Sequence, residues 1–191
     1  MTARIEGLTN DRLRHEAGGL TLVPPNERVL GPGASPVMAA FTHIGVASRF
    51  TDGSFGVYYC AKEFETAVAE SSYHRARFLA ATSEPAIDVQ MRTYICRIDG
   101  RFHDLREGFA EVYQPNPNRY WEAQQLASRL RAAGSSGVCY RSVRREGGEC
   151  LGVFRPTAIS PYQDSSFTVQ GAHFVLHWNG KTITRYSVVA T

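Results

Sequence analysis

Four side chains of the sequence have types that small-molecule chemistry uses: Arg49, Tyr59, Glu70 and Ser142. Three of them lie in one stretch, SRFTDGSFGVYYCAKEFETAVAES, at residues 48–71. Arginine offers two parallel donors to an anion, a tyrosine ring offers a flat apolar surface, and carboxylate and hydroxyl groups hydrogen-bond polar ligand atoms. The stretch therefore raises the hypothesis that Arg49, Tyr59 and Glu70 surround a small ligand.

Each of these residues also has an ordinary structural interpretation when it is taken alone. Arg49 suits a solvated strand end, Tyr59 suits a buried strand, and Ser142 suits the end of another strand. Glu70 and His74 are four residues apart, so they can form a helix-surface pair worth a few tenths of a kcal/mol. The choice depends on the elements that position these side chains.

The chain has 191 residues, of which 43% are hydrophobic and 20% are charged. This length and composition are typical of one soluble globular domain. The net charge is +3 and the basic residues are scattered, which favours a small anionic ligand over direct nucleic-acid binding. No window of roughly 18 apolar residues predicts a membrane span, and the charged N-terminal stretch does not have the pattern of a signal peptide.

The cysteines and histidines do not have the spacing of metal or redox sites. None of the four cysteines belongs to a CxxC pair, and Cys60, Cys96 and Cys139 lie in apolar, strand-like runs. We therefore expect reduced thiols and a cytoplasmic location. The six histidines are dispersed, and the sequence contains neither HExxH, nor a phosphate-binding glycine loop, nor GxSxG. The sequence predicts no metal site.

Local patterns predict the elements that carry the four residues. ASRF and SFGVYYCA are expected to be strands joined by a hairpin-like turn at residues 51–53, with both faces of the second strand covered because neither carries a charge. FETAVAESSYHRARFLAA predicts a helix with an apolar stripe. The stripe contains Phe64, Ala67, Val68, Ser71, Phe78 and Leu79, and a neighbouring stripe contains Glu70, His74 and Arg77.

The remaining patterns predict a strand-rich, mixed α+β domain at residues 35–191, preceded by an accessory segment at residues 1–34. Residues 10–16 suggest a short helix, and SPVMAAFTH suggests another, with Ser35 as N-cap. NPNRYWEAQQLASRLRAAG predicts a third helix that ends at Gly134. The predicted strands are IDVQMRTYICRIDG, SSGVCYRSV, CLGVFRP and a C-terminal hairpin that turns at Asn179 and Gly180.

Two stretches resemble the signatures of the RES domain family, which takes its name from an arginine, a glutamate and a serine. SRFTDGSFGVYYCAKEFETAVAES is similar to the first signature, and SSGVCYRSVRREGGECLGVF is similar to the second. The resemblance covers roughly residues 40–156. It implies a fold like that of the ADP-ribosyltransferase toxins and a chemistry that destroys or transfers NAD.

The resemblance also assigns the family's functional residues to positions of this chain. The arginine falls on Arg49 and the serine on Ser142. The strand tyrosine falls on Tyr59, with Tyr58 as an alternative. The helix glutamate falls on Glu70, with Glu65 as an alternative. Glu70 is preferred because it lies one step off the apolar stripe, whereas a carboxylate in the first helical turn is explained by the helix dipole.

These residue types suit cleavage of the nicotinamide–ribose bond. Glu70 would stabilise the oxocarbenium-like ribose, Arg49 would bind the pyrophosphate, and Tyr59 would support the nicotinamide ring. Ser142 would donate a hydrogen bond to ribose or phosphate. Three further candidates for substrate contacts are His43, His74 and Arg77.

The resemblance therefore implies the toxin of a toxin–antitoxin pair, an NAD+ glycohydrolase or phosphorylase that depletes cellular NAD+ and arrests growth. NAD+ would be its substrate rather than a cofactor, with inorganic phosphate as co-substrate of a phosphorylase. The implied partner is an Xre-type helix-turn-helix antitoxin, and self-association as a homodimer is a further expectation. Two alternatives stay open: an ADP-ribosyltransferase that modifies a host protein, and a non-catalytic nucleotide-binding module.

Overall fold

The computed structural model describes residues 19–161 and 169–189. Over these residues the chain forms three α-helices and nine strands, linked by short 3-10 turns. The helices are α1 (Ala34–Thr42), α2 (Phe64–Ala80) and α3 (Trp121–Ala132). The strands are β1 (Tyr58–Ala61), β2 (Ile87–Ile95), β3 (Arg97–Ile98), β4 (Phe102–Asp104), β5 (Gly137–Arg141), β6 (Glu149–Val153), β7 (Ile159–Ser160), β8 (Val169–Trp178) and β9 (Ile183–Val189).

The strands form three sheets, which confirms the predicted strand-rich α+β class. The largest sheet has the order β1-β6-β5-β4, in which β4 and β5 are parallel and the other pairs are antiparallel. A three-stranded antiparallel sheet has the order β2-β8-β9, and β3 pairs with β7. No helix of the described residues is long and apolar enough to span a bilayer.

The two faces of the four-stranded sheet pack against different helices. On one face, Ala123 and Ala127 of α3 join Val138 and Tyr140 of β5 in a buried cluster. On the other face, residues of α1 such as Phe41 pack in a second cluster with β6. Because side chains alternate along a strand, the register of β1 with β6 places neighbouring β1 residues on opposite faces, as the sequence pattern predicted.

Helix α2 lies between the two larger sheets. Its Val68 is buried with Phe174 and Leu176 of β8, and Phe64 at its start packs edge-on against Phe174. The same helix also contacts β1 of the four-stranded sheet. Packing on two sides fixes the rotation of α2, and therefore which of its polar residues face the four-stranded sheet.

Several local predictions were wrong. ASRF and SFGVYYCA do not form a hairpin, because residues 48 and 51 make an isolated bridge and β1 begins only at Tyr58. The N-cap of α1 is Gly33 rather than Ser35, since the helix begins at Ala34. Phe78, which the helical pattern placed on the apolar stripe, is 60% exposed. The helix predicted at residues 10–16 lies outside the described residues.

The described part of the N-terminal segment packs onto the domain. Val23 and Val29 are buried in the cluster around α1. Glu27 accepts a hydrogen bond from the guanidinium of Arg155, which follows β6, and the two side chains form an ion pair. Residues 19–34 therefore contribute apolar contacts and one charged contact to the same core as α1.

Gly56 allows a close approach that a larger residue would prevent. A Cβ atom at this position would lie 2.2 Å from the carbonyl oxygen of Ala40 and 2.5 Å from the Cα of Phe41. Both atoms belong to the backbone of α1, so a rotamer change could not relieve the clash. The missing side chain lets the segment before β1 lie directly against α1.

We expect Gly56→Ala to lower the free energy of unfolding by about 2–3 kcal/mol, measured by urea denaturation. Gly147→Ala is the control, because its Cβ would meet nothing within 4 Å and only the φ of +71° opposes it. That variant should lose about 1 kcal/mol. Equal losses in the two variants would contradict the close approach of Gly56 to α1.

Candidate active site

A cleft of about 310 Å³ lies between α2 and the face of the four-stranded sheet that carries Tyr59. This volume is at the lower end of the range for small-molecule sites. The cleft brings together Arg49, Tyr59 and Glu70, which are three of the four residues singled out in the sequence. The full lining is Ser48, Arg49, Tyr59, Cys60, Ala61, Ala67, Glu70, Ser71, His74, Tyr120, Tyr140 and Cys150.

Glu70 is held by a hydrogen bond from the turn between β5 and β6. The Ser142 hydroxyl donates to Oε1 of Glu70 at 2.6 Å. The second oxygen, Oε2, has no hydrogen-bond partner among the described residues. The carboxylate is thus fixed at one oxygen, and its other oxygen is available to a bound molecule in the cleft.

The Ser142 hydroxyl has its direction set by the same turn. Its oxygen accepts hydrogen bonds from the backbone N–H groups of Arg144 at 3.0 Å and Arg145 at 3.1 Å. A serine hydroxyl has one hydrogen and two acceptor lone pairs, so both lone pairs are used and the hydrogen must point to Glu70. Ser142 does not line the cleft. In this geometry it positions the carboxylate.

Arg49 is 7% exposed, and its guanidinium is held by neutral groups. Nη1 donates to the carbonyl oxygens of Val112 at 2.7 Å and Gln114 at 3.0 Å. Nη2 donates to the hydroxyl of Tyr120 at 3.1 Å, and the guanidinium carbon lies 4.4 Å from the centre of that ring.

None of these partners is a carboxylate, so they do not neutralise the positive charge of Arg49. Among the described residues Arg49 forms no ion pair, and the N–H of Nε and one N–H of Nη2 have no partner. A buried charge that is solvated only by dipoles favours an anion nearby. Arg49 therefore gives its end of the cleft a positive potential.

The structure distinguishes the two tyrosines of β1. The Tyr59 hydroxyl is bonded to Ser48 Oγ at 2.8 Å and accepts from the N–H of Phe50 at 2.9 Å, while the residue stays 38% exposed. Burial of this hydroxyl raises the pKa of Tyr59 to about 12. Tyr58 points to the other face, where its hydroxyl lies 3.5 Å from Cys96 Sγ. Tyr59 therefore presents ring surface to the cleft, and Tyr58 does not line it.

His74 lies one helical turn after Glu70 and lines the cleft. Desolvation lowers the pKa of the His74 imidazole. The negative charge of Glu70 opposes this change, whereas the guanidinium groups of Arg144, Arg77 and Arg49 add to it. His74 is therefore neutral at pH 7, so one of its ring nitrogens can accept a proton or a hydrogen bond.

Two cysteines in the cleft wall are poor nucleophiles. Burial raises the pKa of the Cys150 thiol to about 12. The pKa of Cys60 is also raised well above its usual range, by a hydrogen bond with Cys96 and by burial. Both are thiols rather than thiolates at pH 7. Among residues 19–161 and 169–189, no group of three His, Cys, Asp or Glu is placed to hold a metal ion.

Other candidates from the sequence lie outside the cleft lining. His43 is at the end of α1, where its Nδ1 is 3.0 Å from the carbonyl oxygen of Ala39. Glu65 is exposed in the first turn of α2, which favours Glu70 as the site glutamate. Arg77 acts on His74 through its charge and does not line the cleft.

Sequence patterns missed Tyr120 and Tyr140, which also line the cleft. Tyr120 precedes α3 and supports Arg49, and Tyr140 packs edge-on against Phe50 at 4.9 Å. Alternation along β5 predicts a buried Tyr140, but no local pattern indicates that Tyr120 reaches a residue 71 positions earlier.

The lowered pKa of His74 predicts a pH dependence of stability. As the pH falls, the unfolded chain binds a proton at His74 near the ordinary pKa of 6.5, whereas the folded chain binds this proton only at a lower pH. The contribution of neutral His74 to the free energy of unfolding is therefore complete above this pH. It is lost as the pH falls through the pKa that His74 has in the folded chain. Urea denaturation at pH 7.5 and 5.5 should show a smaller loss for His74→Gln than for the unchanged protein. Equal losses would contradict the lowered pKa.

Comparison with known proteins identifies the family of the chain. A family model described as the RES domain matches residues 27–179, which include Arg49, Tyr59, Glu70 and Ser142. The chain is also 30% identical over 136 residues to the uncharacterized protein y4oC of Sinorhizobium fredii (strain NBRC 101917 / NGR234), an alignment that covers 71% of this chain and 54% of that protein. The chain thus spans about half the length of this relative. The family model covers most of the length of the present chain, so the chain belongs to the RES domain family.

Proposed function

We propose that the protein cleaves the nicotinamide–ribose bond of NAD+. The observation that carries this proposal is the carboxylate of Glu70, held by Ser142 at one oxygen and facing a cleft that also contains Arg49 and Tyr59. The cleft combines a fixed anion, an uncompensated cation and an exposed aromatic ring. These groups match the ribose, the pyrophosphate and the nicotinamide of the substrate.

The chemistry requires stabilisation of positive charge on the ribose. When the bond to nicotinamide breaks, the pyridine nitrogen leaves as a neutral group, so a general acid is not needed. The developing oxocarbenium charge is stabilised by a nearby carboxylate, as in glycoside hydrolysis. Glu70 performs this role through Oε2, the oxygen that Ser142 does not occupy.

The other two residues bind the groups on either side of the reacting ribose. Arg49 has two N–H donors without partners among the described residues, and its charge is not neutralised by a carboxylate. It binds the pyrophosphate with charge-assisted hydrogen bonds. Tyr59 has its hydroxyl anchored by Ser48 and Phe50, so its ring is held in one orientation for the nicotinamide.

The acceptor is water or inorganic phosphate. His74 lies next to Glu70 on α2, and its lowered pKa keeps the imidazole neutral. A neutral imidazole can take the proton of an attacking water, which forms ADP-ribose. Phosphate already carries a nucleophilic oxygen and would form ADP-ribose 1″-phosphate instead.

In the cell the proposed activity is that of a toxin. Loss of NAD+ would arrest growth, so the producing cell needs an inhibitor, and we propose an Xre-type antitoxin that covers the cleft. NAD+ is consumed as substrate, and the reaction needs no further cofactor. A cytoplasmic location and a homodimeric toxin are parts of the same proposal.

Glu70→Gln should reduce nicotinamide release from NAD+ by roughly 100-fold or more, because the amide keeps the shape but loses the charge. The purified protein is incubated with NAD+, with and without phosphate, and nicotinamide and the ribose product are quantified. The matched control is Glu65→Gln on the exposed first turn of α2, which should retain full activity.

Failure of the unchanged protein to release nicotinamide would overturn the NAD+-depletion proposal. Labelled NAD+ with a cell lysate would then test transfer of ADP-ribose to a protein acceptor. A product that carries phosphate only when phosphate is added would assign the phosphorylase reaction.

Ser142→Ala should reduce kcat by roughly 10-fold while changing KM little. The substitution removes the donor that orients Glu70 but leaves the carboxylate charge in place. Ser142→Thr keeps a hydroxyl at the same position and should restore part of the rate. If Ser142→Ala raised KM and left kcat unchanged, Ser142 would contact the substrate rather than position Glu70.

A further inference from the structure

A second group of reactive side chains lies on the three-stranded sheet, outside the cleft. Asp88, His177 and Ser187 come from the adjacent strands β2, β8 and β9. His177 Nδ1 is 2.7 Å from Asp88 Oδ1, and His177 Nε2 is 2.9 Å from Ser187 Oγ. The imidazole thus bridges a carboxylate and a hydroxyl through its two nitrogens.

The register of the strands shows which side of the sheet carries this group. Phe174 and Leu176 of β8 are buried against α2. His177 follows Leu176, so it points to the opposite side, away from α2. Asp88 lies directly across from His177. Ser187 is two residues beyond the β9 residue that pairs with His177, so its side chain is on the same side of the sheet. The outer side of the sheet therefore carries all three residues.

The carboxylate decides the direction of both hydrogen bonds. Ionised Asp88 can only accept, so Nδ1 of His177 must carry the hydrogen of this bond. In a neutral imidazole the other nitrogen, Nε2, is then an acceptor, and Ser187 must be the donor. This is the arrangement in which a histidine acts as general base for a serine and an aspartate fixes its tautomer.

The neighbouring residues leave this serine open to reagents. Ser187 and Asp88 are exposed, and the His177 side chain is 20% exposed. Arg185 lies across from His177, two residues before Ser187 on the same side of β9. Over the described parts of the chain it forms no side-chain hydrogen bond or ion pair, so its N–H groups are available to an oxyanion.

We propose that Asp88, His177 and Ser187 form a nucleophilic triad that reacts with small activated carboxylic esters. Ser187 Oγ forms a bond to the carbonyl carbon, and its proton passes to His177 Nε2. The ester C–O bond breaks, and the leaving alcohol takes the proton from Nε2. Water then attacks the acyl-serine with the same base, which releases the carboxylic acid and restores the serine.

The test uses a fluorophosphonate, which transfers its phosphonyl group to an activated serine with loss of fluoride. The full chain is treated with the reagent, and the adduct is located by peptide mass spectrometry. We expect one adduct on Ser187. Labelling should disappear in Ser187→Ala and become at least 10-fold slower in His177→Gln, which lacks the base.

Two controls separate this site from the cleft and from general serine reactivity. Glu70→Gln should be labelled at the unchanged rate, because Glu70 belongs to the other site. Ser54 is exposed and bonded to Asp52 without a histidine, so its peptide should stay unlabelled. Hydrolysis of p-nitrophenyl acetate should show the same dependence on Ser187 and His177.

Two outcomes would overturn the proposal. One is an absence of adduct on Ser187 in a protein with unchanged circular dichroism. The other is labelling of Ser187 that His177→Gln does not slow, since the three residues would then be an ordinary cross-strand polar cluster. Neither outcome depends on whether the protein cleaves NAD+.

Discussion

The hydrogen bond from Ser142 to Glu70 is the contact on which the organisation of the cleft depends. It joins α2 to the turn between β5 and β6, across 72 positions of the chain. Two backbone N–H groups of that turn occupy the acceptor sites of Ser142, so its hydrogen has one available direction. The turn therefore fixes the serine, and the serine fixes the carboxylate before any ligand arrives. Such preorganisation reduces the entropy that a bound substrate would otherwise lose in ordering the site.

Helix α2 forms one wall of the cleft and is held in place by packing. Its Val68 is buried against the three-stranded sheet, while Glu70 and His74 face the cleft beside the four-stranded sheet. A helix that is packed on both sides cannot rotate about its axis without losing apolar contacts on one side. The outer side of the same three-stranded sheet carries Asp88, His177 and Ser187. One layered arrangement thus separates two sets of reactive residues by a helix and a sheet.

The electrostatics of the cleft follow from the partners that Arg49 has. Val112, Gln114 and Tyr120 supply oxygen atoms but no negative charge. The positive charge of Arg49 therefore extends into the cleft. Desolvation lowers the pKa of His74, and the charges of Arg144, Arg77 and Arg49 lower it further. A neutral histidine next to a carboxylate, close to an uncompensated arginine, suits an anionic ligand.

The sequence by itself determined the fold class and the family, and three of the four residues that it singled out line the cleft. Alternation along β1 placed Tyr59 and Tyr58 on opposite faces, and helical periodicity separated Glu70 from the apolar stripe of α2. Both patterns are local, because a strand repeats every two residues and a helix every 3.6. They could not show that Arg49 is held by Tyr120, that Ser142 donates to Glu70, or that Asp88, His177 and Ser187 meet. These contacts join segments that are distant in the chain, and only strand pairing and the packing of the helices on the sheets bring those segments together.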